Sequence, residues 1–296
     1  MRSLEPLSQL DTAGVQLSIG PFRVRLRSDI VGVRKYLETV YTDFPITSET
    51  AAHFDIAIVS TAGWRQWMRP QANLVVNGVR PFLPLPEDLS GALFEWSLNW
   101  CVGDHAHRWV AIHAAVVERD GQAVILSGVS GAGKSTLCAA LVVAGWRLLS
   151  DEFALVDPQS GLLSPLPRPV SLKNQSIPIL KQRNPSGVFT PERIDIEGAT
   201  FVHMKPPLAS VRQAGEPARP GMIVFPRWTR DAATRLEPIP KAHALMRLAH
   251  QSFNYNYLGV PGYEAIAGMV GRTDCYTLEY SDLDDVIGRL ASARTR

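Results

Sequence analysis

The sequence predicts an α/β protein in which a small N-terminal α/β module precedes a larger nucleotide-binding domain. A glycine-rich stretch, GVSGAGKSTL at residues 128–137, stands between a strand-like run and a helical run. Short strand-like and helical runs also alternate on both sides of it, as they do in α/β folds. We expect the module over residues 1–90 and the domain over residues 91–296, with the proline-rich residues 80–86 near the boundary.

Composition limits the class of protein. The chain has 296 residues, of which 46% are hydrophobic and 20% are charged, as is typical of a globular protein. Thirty Lys and Arg residues against 28 Asp and Glu residues give a net charge of +2, so we expect neither a nucleic acid nor a membrane as the main partner. Three cysteines without disulfide or zinc spacing, and an N-terminus without an apolar signal segment, indicate the cytoplasm.

The elements of the module follow from the spacing of apolar residues. Alternation predicts strands at residues 15–19, 22–27, 54–60 and 73–78, and helical spacing predicts a helix at residues 30–41. After the proline-rich segment, a second helix is predicted over residues 87–105, because apolar residues recur on one side of it at Leu89, Leu93, Trp96 and Trp100.

The domain begins with a predicted hairpin. Two strand-like runs meet at Arg119, Asp120 and Gly121, where the Asp-Gly pair favours a tight turn. A helix after the glycine-rich stretch ends at Gly145, and residues 146–157 are predicted as further strand. Prolines favour short strands and loops between residues 158 and 240. The remaining predicted elements are strands at 222–225 and 275–280 and helices at 241–253 and 282–292.

The glycine-rich stretch matches G-x-x-x-x-G-K-[ST], in the strand, loop, helix order that phosphate binding requires. Glycines let successive backbone N–H groups face one phosphate, and the following helix adds positive partial charge. Lys134 can reach the β- and γ-phosphates, and the Ser135 hydroxyl can ligate Mg²⁺. We therefore predict ATP and Mg²⁺ as cofactors. The residues expected to hold the nucleotide, called the glycine loop below, are Gly128, Ser130, Gly131, Ala132, Gly133, Lys134, Ser135 and Thr136.

An acidic pair and a histidine are expected near the glycine loop. Asp151 and Glu152 follow it after about one short helix and one strand, which brings them to the phosphates if that strand pairs beside the loop-bearing strand. His113 lies in the apolar strand before the hairpin turn, so it can lie at the same end of the sheet. If these residues have no role at the phosphates, the structural alternatives are an acidic pair on the surface and a histidine that is hydrogen-bonded in the core.

These motifs together resemble the catalytic domain of HPr kinase/phosphorylase, and more closely the HPr-kinase-related kinases of type A that modify precursor peptides. The resemblance runs from His113 to Asp157 and rests on the histidine, GxSGxGKS, the short helix ending in glycine and the segment LLSDE. It implies a fold like that of phosphoenolpyruvate carboxykinase and transfer of the γ-phosphoryl group to a serine of a protein. Family members are often oligomers, so a homo-oligomer is also compatible with the resemblance.

The resemblance also implies roles for single residues. Asp151 would be the base that accepts the serine proton, and His113 would orient or tune Asp151. Glu152 replaces the second aspartate of the usual pair and would bind the metal with Ser135. In the segment nearest to the family's glycine-rich signature, residues 194–199, Glu197 is a third metal candidate.

Further polar residues are candidate site residues because of their positions in the sequence. Arg227, just after the strand at 222–225, and Lys173 are the preferred candidates for neutralising charge in the transition state. The structural alternative for each is a solvated basic residue. Residues 254–257 either line an acceptor groove or cap and pack a helix end. The aromatic residues in FEWSLNW, at 94–100, either help to dock the acceptor or pack in the core.

We predict an ATP- and Mg²⁺-dependent kinase for a serine of a protein or ribosomally made peptide, which the N-terminal module presents or recognises. One alternative is a small-molecule kinase, which would have a closed polar pocket instead of a groove. The other is a protein that binds ATP only to switch conformation. Such a protein would tolerate the loss of His113 and Asp151, since neither is expected to hold the nucleotide.

Overall fold

A computed structural model describes residues 5–47, 51–61 and 68–293. Within these ranges the strands form one sheet in the N-terminal module and two sheets in the rest of the chain. Residues 1–4, part of the segment where we expect no signal sequence, lie outside the described ranges.

The N-terminal module is a mixed sheet covered by a helix. Its elements are β1 (Val15–Ile19), β2 (Phe22–Arg27), α1 (Val31–Val40), β3 (Ile46–Thr47), β4 (Phe54–Ser60), β5 (Gln71–Val76) and β6 (Leu85–Pro86). The strand order is β3-β1-β2-β4-β5-β6. The predicted strands and helix are confirmed, and β5 starts two residues before the prediction. Along β2 the apolar residues are buried alternately, as the period-two pattern predicts.

Helix α2 (Ser90–His105) connects the module to the rest of the chain. More of the α2 surface is buried than the sequence predicts, because Phe94, Leu98 and Cys101 lie outside the predicted apolar side and are buried as well. The core around α2 contains residues of the first sheet and also Phe153 and Leu155 from the second part of the chain. One hydrophobic core therefore spans the predicted boundary at residue 90.

The rest of the chain alternates strands and helices. Its elements are β7 (Val110–Arg119), β8 (Gln122–Ser127), α3 (Lys134–Val143), β9 (Arg147–Ser150), β10 (Phe153–Val156), β11 (Leu163–Ser164), β12 (Val170–Lys173), α4 (Ser176–Arg183), β13 (Arg193–Ile194), β14 (Thr200–Met204), α5 (Leu208–Arg212), β15 (Arg219–Trp228), β16 (Arg235–Pro238), α6 (Lys241–His250), α7 (Tyr255–Leu258), α8 (Val260–Arg272), β17 (Asp274–Tyr280) and α9 (Leu283–Ala293).

The large sheet has helices on both faces. Its order is β11-β10-β7-β8-β15-β17-β16, with β9 also paired to β7. On one face Val124 and Leu126 of β8 pack with α3 and α9. On the other face Ala123 and Ile125 of the same strand pack with α6 and α8. This layered arrangement confirms the α/β class. The small sheet, of order β12-β14-β13, also contributes to the core beneath α3.

The predicted hairpin is confirmed. Strands β7 and β8 pair antiparallel, with Arg119 opposite Gln122. Asp120 and Gly121 between them have φ angles of 55° and 80°. Positive values at both positions match the right-handed twist of the strands, and they explain the Asp-Gly pair. Strand β8 therefore leads directly into the glycine loop.

Several sequence predictions need correction. The single strand predicted at 146–157 is broken at Asp151 and Glu152, and both halves, β9 and β10, pair with β7 instead of the loop-bearing β8. Residues 260–272 form α8, which was not predicted. Strand β15 is ten residues long although short strands were expected there, and its pairing with β8 shifts register after Pro220.

Two further features of the described residues concern helix hydrophobicity and the cysteines. No helix within the described ranges has the length and apolar character needed to cross a bilayer. Cys101, Cys138 and Cys275 are all buried free thiols, as the absence of a disulfide pattern predicted.

A buried ion pair joins α2 to the second part of the chain. Arg168 donates from Nη1 to Glu95 Oε2 at 3.3 Å, and both residues are only 5% exposed. The hydroxyls of Tyr36 and Tyr41 donate to Glu95 Oε1 at 3.1 and 2.7 Å. Burial raises the pKa of Glu95, and Arg168 opposes that shift. Arg168 also donates to the side chain of Asn99.

Arg168→Met is expected to lower the free energy of unfolding by about 3 kcal/mol, because it leaves the Glu95 carboxylate buried without its cation. Urea denaturation measures the change. The double variant Glu95→Gln/Arg168→Met is the control and should regain part of the loss, since neither buried charge remains. A single variant as stable as the wild type would contradict this account of the pair.

Candidate functional site

Three parallel strands end at one edge of the large sheet. Strands β8, β15 and β17 are parallel neighbours, and they end at Ser127, Trp228 and Tyr280. The carboxyl ends of parallel strands are the usual ligand-binding edge of an α/β sheet. A cavity of about 770 Å³, called the loop cleft below, opens here between the glycine loop, the ends of β15 and β17, and α6.

The neighbouring strand ends fix the glycine loop. The Trp228 N–H donates to the Ala132 carbonyl oxygen, and the Tyr280 hydroxyl donates to the Gly133 carbonyl oxygen, both at 3.1 Å. Gly133 has a φ of 91°, and a Cβ there would lie 2.6 Å from the Tyr280 hydroxyl oxygen, so glycine is required for two reasons. Helix α3 begins at the next residue, Lys134, with its N-terminus at the loop, as predicted.

Lys134 is held inside the loop. Its Nζ donates to the carbonyl oxygens of Gly128 and Val129 at 2.7 and 3.0 Å, and the residue is 7% exposed. Burial lowers the pKa of Lys134, whereas the charges of Glu152 and Asp151 raise it. The structure therefore brings the predicted lysine and both predicted carboxylates together.

Asp151 occupies the bend between β9 and β10. The Ser150 hydroxyl stabilises this bend by accepting the N–H groups of Glu152 and Phe153 at 3.3 and 3.0 Å. Asp151 Oδ2 accepts the N–H of Ser171 from β12 at 3.1 Å. Oδ1 is also buried, and no group within the described residues meets hydrogen-bond geometry with it.

The environment of Asp151 shifts its protonation. Burial first, and the charge of Glu152 second, raise the pKa of Asp151 to about 7. The Ser171 N–H, the Ser135 hydroxyl and the Lys134 amine act in the opposite direction. Asp151 therefore changes its protonation state near neutral pH, as a general base is expected to do.

His113 faces the second carboxylate. Its Nδ1 lies 3.6 Å from Glu152 Oε2, and both side chains are about 30% exposed. Burial lowers the pKa of His113 although Glu152 raises it, so the neutral ring is favoured. The prediction paired His113 with Asp151. The contact that the structure shows is to Glu152, because His113 lies opposite Phe153 in the β7–β10 ladder, next to Glu152 in the chain.

His113 and Glu152 line a second cavity of about 410 Å³, called the histidine pocket below. The half-exposed ring of Phe253 meets the His113 ring edge-on, with 6.0 Å between their centroids. His250 and Gln251 line both this pocket and the loop cleft. The two cavities are therefore neighbours.

Cations from three elements line the loop cleft. Arg227, at the end of β15, is exposed and lines this cleft. Arg235 from β16 and Arg247 from α6 join it, and sequence reasoning missed both. The Arg247 guanidinium carbon lies 5.1 Å from the centroid of the Phe225 ring. His250 follows Arg247 at the helical spacing of three, which was the available signal for this face of α6.

Two predicted residues lie outside this constellation. Lys173 donates to Asp195 Oδ2 at 2.8 Å, so its amine already has an anionic partner. Glu197 is exposed in the turn between β13 and β14. It does not form a metal cluster with Asp151 and Glu152, since no group of three or more His, Cys, Asp or Glu side chains arranged for a metal occurs in the described part of the chain.

Asn254 and the tryptophans of α2 have structural roles. The Asn254 side chain accepts the Ala111 N–H at 3.0 Å and donates to the Trp109 carbonyl oxygen at 2.8 Å, so it fixes the start of β7. Trp96 and Trp100 pack against the core around α2. Tyr257, by contrast, is 83% exposed. Core packing thus accounts for the tryptophans, and hydrogen bonds to the start of β7 account for Asn254.

Comparison with known families finds a match to part of the chain. A family model described as SynChlorMet cassette protein ScmC matches residues 96–172, about a quarter of the chain. The matched segment contains His113, the glycine loop, Asp151 and Glu152, and it ends before Arg227. No curated protein matches the chain.

Asp151→Asn is expected to raise the melting temperature at pH 8, measured without nucleotide or metal. The pKa of Asp151 lies above its unfolded value of 3.8, so the folded protein loses stability as the pH rises from about 4 to about 7. The amide does not ionise and escapes this loss. Differential scanning fluorimetry across this pH range measures the effect, which should vanish near pH 4.

Asp195→Asn is a control of opposite sign. The Lys173 amine lowers the pKa of Asp195, which therefore stabilises the fold above the unfolded value of 3.8 and loses that contribution on acidification. This variant should melt earlier than the wild type at pH 8. If Asp151→Asn also melted earlier at pH 8, the account of Asp151 as a buried carboxyl with a raised pKa would be wrong.

Proposed function

We propose that the chain is an ATP- and Mg²⁺-dependent kinase with an HPr-kinase-like fold, which transfers the γ-phosphoryl group to a serine hydroxyl of a protein or peptide. The observation that carries this proposal is Asp151, a buried carboxyl beside the glycine loop with a pKa of about 7, whose Oδ1 meets hydrogen-bond geometry with no group among the described residues. Phosphorylation of a hydroxyl needs a phosphate cradle and a proton acceptor at one place. The ScmC match covers both elements.

The glycine loop and its cations would hold the triphosphate. Lys134 would exchange the carbonyl oxygens of Gly128 and Val129 for phosphate oxygens, and α3 would add the partial charge of its N-terminus. Arg227, with Arg235 and Arg247 around the same cleft, would neutralise charge that develops on the transferred group.

The donor set fits Mg²⁺. The Ser135 hydroxyl and the Glu152 carboxylate offer the oxygen ligands that this ion prefers. Asp151 Oδ1, which has no hydrogen-bond partner among the described residues, is left for the serine proton. Few protein ligands are needed, because Mg²⁺ usually keeps several waters and phosphate oxygens. When bound, the ion supplies positive charge to the β- and γ-phosphates.

The proposed transfer uses Asp151 as the base. The serine oxygen bonds to the γ-phosphorus, the bond from that phosphorus to the β–γ bridging oxygen breaks, and ADP leaves with its electron pair. Asp151 accepts the serine proton. His113 would then act as a positioning residue for Glu152, since that is the carboxylate its ring faces.

The surroundings of the histidine pocket favour a polypeptide acceptor over a small molecule. The pocket is open to solvent beside Phe253, and the segment that follows exposes the apolar side chains of Tyr257, Val260 and Tyr263. A closed polar pocket, which a small-molecule kinase would need, is not what these residues form. The buried free thiols fit the cytoplasmic location that we include in the proposal.

A label-transfer assay tests the proposal. The purified protein is incubated with γ-labelled ATP, Mg²⁺ and peptides encoded beside its gene, and labelled residues are identified. We expect phosphoserine with the wild type. Asp151→Asn should lower the transfer rate by a factor of about 100 or more, because a positioned base contributes at least that much, and should keep the affinity for ATP. Lys134→Ala should weaken ATP binding itself.

Two results would overturn the proposal. Transfer that is unchanged in Asp151→Asn would remove the proposed base. Tight ATP binding by the wild type without transfer to any hydroxyl, in a lysate as well as with the peptides, would favour a nucleotide-dependent switch instead.

A further inference from the structure

A third cavity, of about 350 Å³, lies between the N-terminal module and the small sheet. We call it the module cavity. Its walls include Tyr36 from α1, Ser90 at the start of α2, and Phe201 and His203 from β14. None of its lining residues lines the loop cleft or the histidine pocket. The module cavity is therefore separate from the proposed kinase site.

Two buried polar side chains in the module cavity lack partners. Ser90 is 0% exposed, and its Oγ has no hydrogen-bond partner among the described residues. His203 is 4% exposed, and its Nδ1 also lacks a partner within those residues. Native proteins rarely leave buried polar groups unpaired, since each has given up its hydrogen bonds to water. Two such groups in the wall of one cavity indicate a ligand that pairs with them.

The interior favours an uncharged hydrogen-bonding group. Burial lowers the pKa of His203 to about 3, and the charge of Arg168 contributes to that shift, so the imidazole is neutral at physiological pH. Arg168 itself is paired with Glu95. A buried anion or cation would find no free counter-charge on Ser90 or His203, and its desolvation would oppose binding.

The walls favour an aromatic ring. The rings of Tyr36 and Phe201 meet the His203 ring edge-on, with centroid distances of 5.6 and 5.5 Å. Aromatic rings prefer such neighbours. A cavity of about 150 Å³ is known to hold benzene, so 350 Å³ accommodates one ring with substituents. At the rim, exposed Lys35 and Glu38 carry opposite charges, so the opening favours no strongly charged ligand.

We propose that the module cavity binds an uncharged aromatic ligand whose hydroxyl group pairs with Ser90 Oγ and His203 Nδ1, either a free phenol or a tyrosine side chain within a peptide. The site is also connected to Asp151. His203 lies opposite Ser171 in the β12–β14 ladder, and the Ser171 N–H is the one that binds Asp151 Oδ2. A ligand that contacts His203 is thus separated by one residue pair of the ladder from the N–H group that binds Asp151.

Calorimetric titration of the full chain tests the site. The probes are N-acetyl-L-tyrosinamide, p-cresol and N-acetyl-L-phenylalaninamide, which keeps the ring without the hydroxyl. We expect the tyrosine amide to bind at least about ten-fold more tightly than the phenylalanine amide, because a site built to pair with a hydroxyl rejects the analogue that lacks it. Tighter binding of the tyrosine amide than of p-cresol indicates a peptide source, and the reverse indicates a free phenol.

Ser90→Ala and His203→Phe identify where the probes bind. Each substitution should lower the affinity for the tyrosine amide by about ten-fold or more and leave the affinity for the phenylalanine amide nearly unchanged. Ser90→Ala should fold at least as stably as the wild type, since it removes a buried hydroxyl without a partner, so it carries the test if His203→Phe fails to fold. Absence of binding by both phenolic probes, or equal binding by wild type and Ser90→Ala, would overturn the proposal.

Discussion

Asp151 has to be buried and still keep one oxygen free, and the rest of the site is arranged around this constraint. Burial alone penalises the carboxylate, so the charge is tolerated only near groups that stabilise it, here the Ser171 N–H, the Ser135 hydroxyl and Lys134.

The bend at residues 151–152 makes this arrangement possible. Because Ser150 accepts two N–H groups of the bend, the chain leaves the β7 ladder without leaving those donors unpaired. Strand β7 carries His113, pairs with β8 before the glycine loop, and pairs with β9 and β10 around the bend. One strand thus positions the glycine loop, the carboxylates and the histidine.

The N-terminal module is part of the same physical unit. Helix α2 shares one hydrophobic core with the first sheet and with β10, and its Glu95 is paired with Arg168 across the boundary. Arg168 also holds Asn99, which lines the histidine pocket. A change in the packing of the module is therefore transmitted to the proposed acceptor site through α2. The module cavity is connected to Asp151 through β14 and β12. An account of the module as an independent recognition domain would have to explain this shared core.

Local patterns in the sequence predicted the part of the site that the chain forms locally. The strand, glycine loop and helix and the Asp120–Gly121 turn are contiguous or nearly so, and their positions are confirmed. Contacts that depend on tertiary pairing were not predictable. The clamp by Trp228 and Tyr280 requires knowing that three parallel strands are neighbours. The sequence did not show that the amine of Lys173, a candidate cation, is paired with Asp195. Helix α8 was missed because Gly262, Gly268 and Gly271 dilute its apolar pattern, although Ala265, Ile266 and Met269 form its buried side.

A crystal structure with Mg²⁺ and a non-hydrolysable ATP analogue tests the central claim most directly. The account predicts that the triphosphate lies in the glycine loop and that Lys134 Nζ leaves the carbonyl oxygens of Gly128 and Val129 for the phosphates. It also predicts that the γ-phosphate points toward Asp151 and the histidine pocket. A γ-phosphate directed away from Asp151, or a nucleotide bound elsewhere while Lys134 keeps its two carbonyl partners, would contradict the account.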